Sequence, residues 1–138
     1  MFEFIKSRIA SFGHAFHGWA YVIRYEKNAW IHAVVTILVV IVATWLVIPL
    51  NQWAVLVLTI AMVWSAEFLN TAIEAVVDLA SPVHHPLAKV GKDVGAAAVL
   101  IAACAAVLVG LLILGPPLWL RIAPFLVRFL SIARFSLH

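Results

Sequence analysis

Three apolar runs, over residues 33–50, 53–77 and 94–114, are each long enough to cross the hydrocarbon of a bilayer, which takes about 17–25 mainly apolar residues per helix. Few folds accommodate them. Within lipid every backbone amide and carbonyl must find a partner inside its own segment, so the runs are read as helices. Composition agrees, with 66% hydrophobic and 11% charged residues in 138, far from the usage of soluble domains. The reading is an all-α membrane protein of one unit, too short for a second core. Glu3, Lys6 and Arg8 interrupt the start, which does not look like a signal peptide.

Between these runs the connections differ. Only Asn51 and Gln52 separate the first two, which predicts a tight helical hairpin whose turn contains Pro49. Residues 79–93 hold Pro82, Pro86, two histidines and two lysines, and are read as a polar connection at the membrane surface. Ahead of the first run, Ile5, Ile9, Phe12, Phe16, Trp19 and Ile23 recur at steps of four and three, placing them on one helical stripe. Lys6, His17, Arg24 and Lys27 lie mostly elsewhere on that wheel. This is the pattern of a basic amphipathic helix, over about 3–28, lying in the interface plane.

Basic residues orient the chain. Lys6, Arg8, Arg24 and Lys27 precede the first run and Lys89 and Lys92 follow the second, whereas the hairpin turn has none. The N-terminus and the 79–93 connection are therefore expected on the cytoplasmic side. Three spans put the tail, residues 115–138, on the other side despite Arg121, Arg128 and Arg134. Two accounts are open: an interfacial helix starting after Pro116 and Pro117, or a fourth, poor span. The net charge of +3 is small and scattered, unlike a nucleic-acid-binding surface. Cys104 lies alone in an apolar run and is expected to be a buried, inert thiol. The six tryptophans are expected mainly near span ends, as an aromatic belt.

The second run carries an unusual polar face. Glu67, Asn70, Glu74 and Asp78 are three, four and four residues apart, which at 3.6 residues per turn gathers them within about 80° of one another. A charge at the centre of a membrane helix costs about 2.5–3.5 kcal/mol on the mildest scale. Metal binding, proton handling or a water-filled site would justify that cost, whereas pairing with Lys89, Lys92 or Arg24 is the plainer explanation. Of six acids, Glu26, Glu67, Glu74, Asp78 and Asp93 form one group and only Glu3 falls outside it. Hard oxygen donors near Lys89 and Lys92 suit magnesium bridging the phosphates of a nucleotide. No GxxxxGK[ST], GxGxxG or HExxH motif is present.

The stretch Glu67-Phe-Leu-Asn-Thr-Ala-Ile-Glu-Ala-Val-Val-Asp78 resembles the signature of the prokaryotic diacylglycerol kinase family, and Lys92-Asp93 followed by Val-Gly-Ala-Ala-Ala-Val-Leu100 continues it. Gly18, Glu26, Asn28, Ile31-His32, Ser81-Pro82 and His85-Pro86-Leu87-Ala88-Lys89 are similar to its Gram-positive-type branch, so the resemblance covers about residues 10–112. His84 stands where the family often has tyrosine, and His14 at another frequently aromatic position.

This resemblance implies an interfacial N-terminal helix plus three transmembrane helices in a homotrimer with sites shared between subunits. The kinase unit would span 1–114, with 115–138 a basic-apolar tail. The implied activity is transfer of the γ-phosphate of Mg-ATP to a lipid alcohol, undecaprenol or diacylglycerol, at a bacterial cell membrane. Glu67 would be the general base, with Asn70 and Asp78 ordering the site. Glu26 and Glu74 would hold Mg2+, Lys92 and Asp93 would contact the nucleotide phosphates, and His85 would lie in the nucleotide-contacting connection. His32 fits a family position, but a lone histidine at the start of a span is more often a helix-end residue. Two other classes compete: a proton-coupled transporter or channel subunit using Glu67 and Glu74 as relays, and a non-catalytic membrane subunit. Neither requires Glu26, Lys92 and Asp93 outside the membrane.

Overall fold

The computed structural model describes residues 1–135, with side chains described through Phe125. Among these residues the chain is all-helical: α1 (Phe2–Tyr25), α2 (Lys27–Leu46), α3 (Leu50–Ala80) and α4 (Pro86–Phe135). As expected, α2, α3 and α4 are each long and apolar enough to cross a membrane. The apolar stripe of α1, Ile5, Ile9, Phe12 and Phe16, is left uncovered by the rest of the chain.

Helix boundaries depart from expectation at four places. α1 stops at Tyr25 because Glu26 turns extended, at φ −97° and ψ 116°, and α2 starts at once. No glycine or proline marks that break. The hairpin turn lies at Val47–Pro49 rather than at Asn51 and Gln52, which sit in the first turn of α3. Val47 adopts the left-handed conformation, φ 54°, its N–H donating to the Thr44 carbonyl while that of Ile48 donates to Ala43. This pair of bonds is a Schellman ending, closed by contact of Ile48 with Ala43 and followed by a proline that cannot continue the helix.

Residues 81–85 alone form the second connection, since Pro86 opens α4. Proline suits a first helical turn, where its missing N–H costs nothing. His85 Nδ1 accepts the Leu87 N–H at 3.2 Å, so the imidazole caps the helix, and Lys89, Lys92 and Asp93 ride on its opening turns. Lastly, α4 does not restart after Pro116 and Pro117 but runs through them and through Pro124. Each proline deletes one bond of the helical ladder. Arg121 ties this stretch back to the hairpin, donating to the Trp45 carbonyl at 2.9 Å with its guanidinium 4.8 Å from the Trp45 ring centroid. The tail's Arg128 and Arg134 lie outside the described side chains.

α4 packs mainly along α3, and the best-closed core is at the hairpin end: Ala43, Leu46, Ile48, Leu56 and Leu114, flanked by Trp53, Ile113 and Leu118. Cys104 is exposed on the outer surface of α4, not buried as expected. In a helix apolar on nearly every side, periodicity carries too little contrast to tell a lipid-facing position from a packed one.

Candidate active site between the second, third and fourth helices

Glu67 is the most deeply buried large side chain in the described chain, 1% exposed. Its own turn is pinned by Thr71, whose hydroxyl donates to the Glu67 carbonyl at 3.0 Å. One turn on, Asn70 Nδ2 donates to Glu74 Oε1 at 2.9 Å, leaving the other Glu74 oxygen outside that bond. The arc of polar residues inferred from helical spacing therefore includes a direct side-chain link.

α4 seals this face. A Cβ on Gly95 would collide with Asn70 Oδ1, so glycine here lets α4 lie close against α3 within the chain while Asn70 keeps its position. α2 contributes His32, whose Nε2 stands 3.6 Å from Glu67 Oε2. Among the described residues neither atom has a hydrogen-bond partner, and neither does Asn70 Oδ1. Burying polar atoms without partners is costly enough to be rare in native folds.

Over these residues lies an aromatic cluster. Trp64, three residues before Glu67, donates its indole N–H to Thr36 Oγ1 at 3.3 Å. Trp19 of α1 packs on both Trp64 and Phe68 at centroid distances of 4.8 Å. Trp64 and Trp19 thus pack together beside the buried carboxylate instead of forming part of a belt at the span ends. The i−3 spacing of Trp64 from Glu67 was the available signal; Trp19 and Thr36 had none, because only packing brings α1 and α2 to this point.

Toward the polar end, Lys92 and Asp78 form an ion pair at 2.6 Å. Both line a concavity of about 280 Å³ together with Ser81, His84, His85 and Lys89. Asp93 is exposed and does not line it. Glu26, at the α1–α2 break, and Glu74 are half-buried, and both lie near enough for their charge to act on Glu67. Among the described residues no three or more acidic, histidine or cysteine side chains converge as a closed metal cage. An open pair of carboxylates still fits magnesium, which commonly takes one or two carboxylates and completes its shell with phosphate oxygens and water. The plainer pairing of the acids with lysines holds for Asp78 alone; in the described chain Glu67 faces a histidine and Glu74 an amide.

Comparison with known proteins converges on one family. The prokaryotic diacylglycerol kinase profile matches residues 13–114. A diacylglycerol kinase of Synechocystis sp. is 43% identical over 111 residues, covering 80% of this chain and 63% of that protein. An undecaprenol kinase of Bacillus subtilis is 41% identical over 108 residues, covering 78% and 88% respectively. A diacylglycerol kinase of Escherichia coli is 38% identical over 89 residues, covering 59% and 73%. The chain thus spans less than two thirds of the Synechocystis protein's length and most of the Bacillus one. Every residue from Glu26 to Gly95 described above falls inside the matched region, and the chain belongs to the prokaryotic diacylglycerol kinase family.

Proposed function

We propose that the chain is an ATP-dependent lipid kinase that moves the γ-phosphate of Mg-ATP onto the hydroxyl of a membrane alcohol. The observation that carries this reading is Glu67: a carboxylate 1% exposed within an apolar helix, one oxygen unpartnered, below a polar end rich in phosphate-compatible groups. Phosphoryl transfer asks the protein chiefly for positioning, charge neutralisation and a carboxylate to take the hydroxyl proton. Glu67 lies seven residues before Glu74, about 10 Å along the helix axis. The lipid hydroxyl approaches from within the bilayer while the nucleotide enters from the polar end.

In the transfer, Glu67 accepts the hydroxyl proton, the alcohol oxygen bonds to the γ-phosphorus, and the bond from that phosphorus to the β,γ-bridging oxygen breaks, releasing ADP. Asn70 holds Glu74, and Glu26 stands at the helix break, near enough for its charge to act on Glu67. These two carboxylates would hold Mg2+, which when bound supplies positive charge to the β- and γ-phosphates. Lys89, Lys92 and His85 line the concavity that would take the phosphates, Asp78 orients Lys92, and Asp93 acts from outside it.

The N-terminus and residues 81–85 face the cytoplasm, supported by the six basic residues on that side of the helices against none in the hairpin turn. The tail lies on the opposite side, supported by the bond from Arg121 to the Trp45 carbonyl at the C-terminal end of α2. The chain works as a homotrimer, as the family resemblance implies; the apolar surface that α2 and α4 leave uncovered in one copy is open to lipid or to a second copy. Both undecaprenol and diacylglycerol are candidate acceptors. Purified protein in lipid micelles with labelled ATP should phosphorylate at least one of these alcohols, and failure with both at saturating magnesium would overturn the assignment.

A further inference from the structure

His32 has no place in the chemistry above, yet among the described residues it is the side chain that stands against Glu67 Oε2. Its Nε2 lies 3.6 Å from Glu67 Oε2, beyond the about 2.7–3.2 Å at which an N–H···O bond is made. Both atoms are sealed from solvent, and among the described residues neither has a hydrogen-bond partner. Leaving two such buried groups without a hydrogen bond is costly. That cost persists here at a spacing that invites a third atom.

We infer that His32 Nε2 and Glu67 Oε2 together form the acceptor-hydroxyl site, His32 donating its N–H to the alcohol oxygen while Glu67 accepts the hydroxyl proton. Two atoms 3.6 Å apart are close enough for one oxygen to bond both at ordinary hydrogen-bond length, and since both are closed off in this structure the alcohol must part the side chains around them to enter. A hydroxyl is the group whose single oxygen both accepts and donates; an ether lacks the proton and an ester carbonyl cannot donate. The arrangement therefore selects the free alcohol from the esters that make up most of the surrounding lipid. It also orients the nucleophile, since one lone pair is held by His32, the proton points at Glu67, and the remaining lone pair is free for phosphorus. The histidine ring is steadied by Trp64, edge-on at 6.3 Å between centroids, which Thr36 anchors in turn.

This inference rests on the reading of Glu67 as the base. The test uses the full chain in detergent–lipid micelles, with dioctanoylglycerol and a short polyprenol as acceptors and with Mg-ATP varied separately. His32→Ala should lower kcat/KM for the alcohol by about 10-fold or more, the size of one buried hydrogen bond, and leave KM for Mg-ATP within about twofold. His32→Gln, whose amide can donate, should recover part of that loss. An unchanged kcat/KM for both alcohols in His32→Ala would overturn the inference. So would equal losses toward alcohol and Mg-ATP with no recovery in His32→Gln, the outcome if the pair merely holds the helices together or traps a water. A fully active Glu67→Gln sinks the base reading first, whereas an inactive Glu67→Gln beside an unimpaired His32→Ala sinks only the role of His32.

Discussion

The two ends of the helical bundle are built on opposite terms. At the hairpin end, Ala43, Leu46, Ile48, Leu56 and Leu114 close on one another, the turn satisfies its carbonyls, and Arg121 binds the Trp45 carbonyl. At the other end, Glu67, His32 and Asn70 keep polar atoms without partners, and a concavity lined with basic residues opens beside the exposed Asp78–Lys92 pair. Such unsatisfied atoms survive only where the surrounding structure holds them against their own preference. The difference teaches that the hairpin end supplies rigidity which the site spends on groups awaiting a substrate.

If that division is right, changes at the polar end should cost activity and changes at the hairpin end should cost stability. The largest effect is expected from Glu67→Gln, with lipid phosphorylation falling by at least about 10²-fold through loss of the base. Equilibrium binding of ATP should persist, because glutamine preserves volume and leaves Glu26, Glu74 and Lys92 in place. Loss of ATP binding along with turnover would instead mark Glu67 as a structural or metal-site residue.

Next come Glu74→Gln and Glu26→Gln, each expected to raise the magnesium concentration for half-maximal activity by about 10-fold or more, the lower bound seen even when only an outer-shell partner is lost. The amides keep the shape but not the charge that a hard cation favours. A magnesium titration matching the parent protein in both variants would remove the metal assignment.

Gly95→Ala tests the same site from its neighbour helix. The new methyl must displace Asn70, which holds Glu74, so a smaller rise in magnesium requirement is expected, of about tenfold at most, together with lowered thermal stability. Full activity would mean that Asn70 does not set the position of Glu74.

Arg121→Ala should have the smallest effect. Removing an exposed cation–π contact and one tie to a helix end is expected to cost about 1 kcal/mol in stability, read by thermal unfolding in detergent, with kcat and both KM values unchanged. A drop in turnover at normal stability would break the separation of the two ends.

Glu67, Asn70, Glu74 and Asp78 could be placed on one face of α3 from spacing alone, because a helix in lipid has a fixed period and no other way to satisfy its backbone. For the same reason the existence of three spans and an amphipathic leading helix was legible, while their limits were not. Glu26 breaks the chain without a glycine or proline, and Pro116 and Pro117 fail to break it, since in both cases neighbours decide: a helix end is set by which donors and acceptors find partners across helices. Distance along the chain also hid the site's other walls. His32 is 35 residues from Glu67 and Gly95 is 25 from Asn70, and no periodicity links them. Residue chemistry and helical period determined which groups this protein carries and on which face of α3 they stand. Only the packing of α2 and α4 against that face decided which carboxylate is buried, which amide holds its neighbour, and that a histidine waits opposite the base, because these depend on side chains from separate helices meeting at a few ångströms.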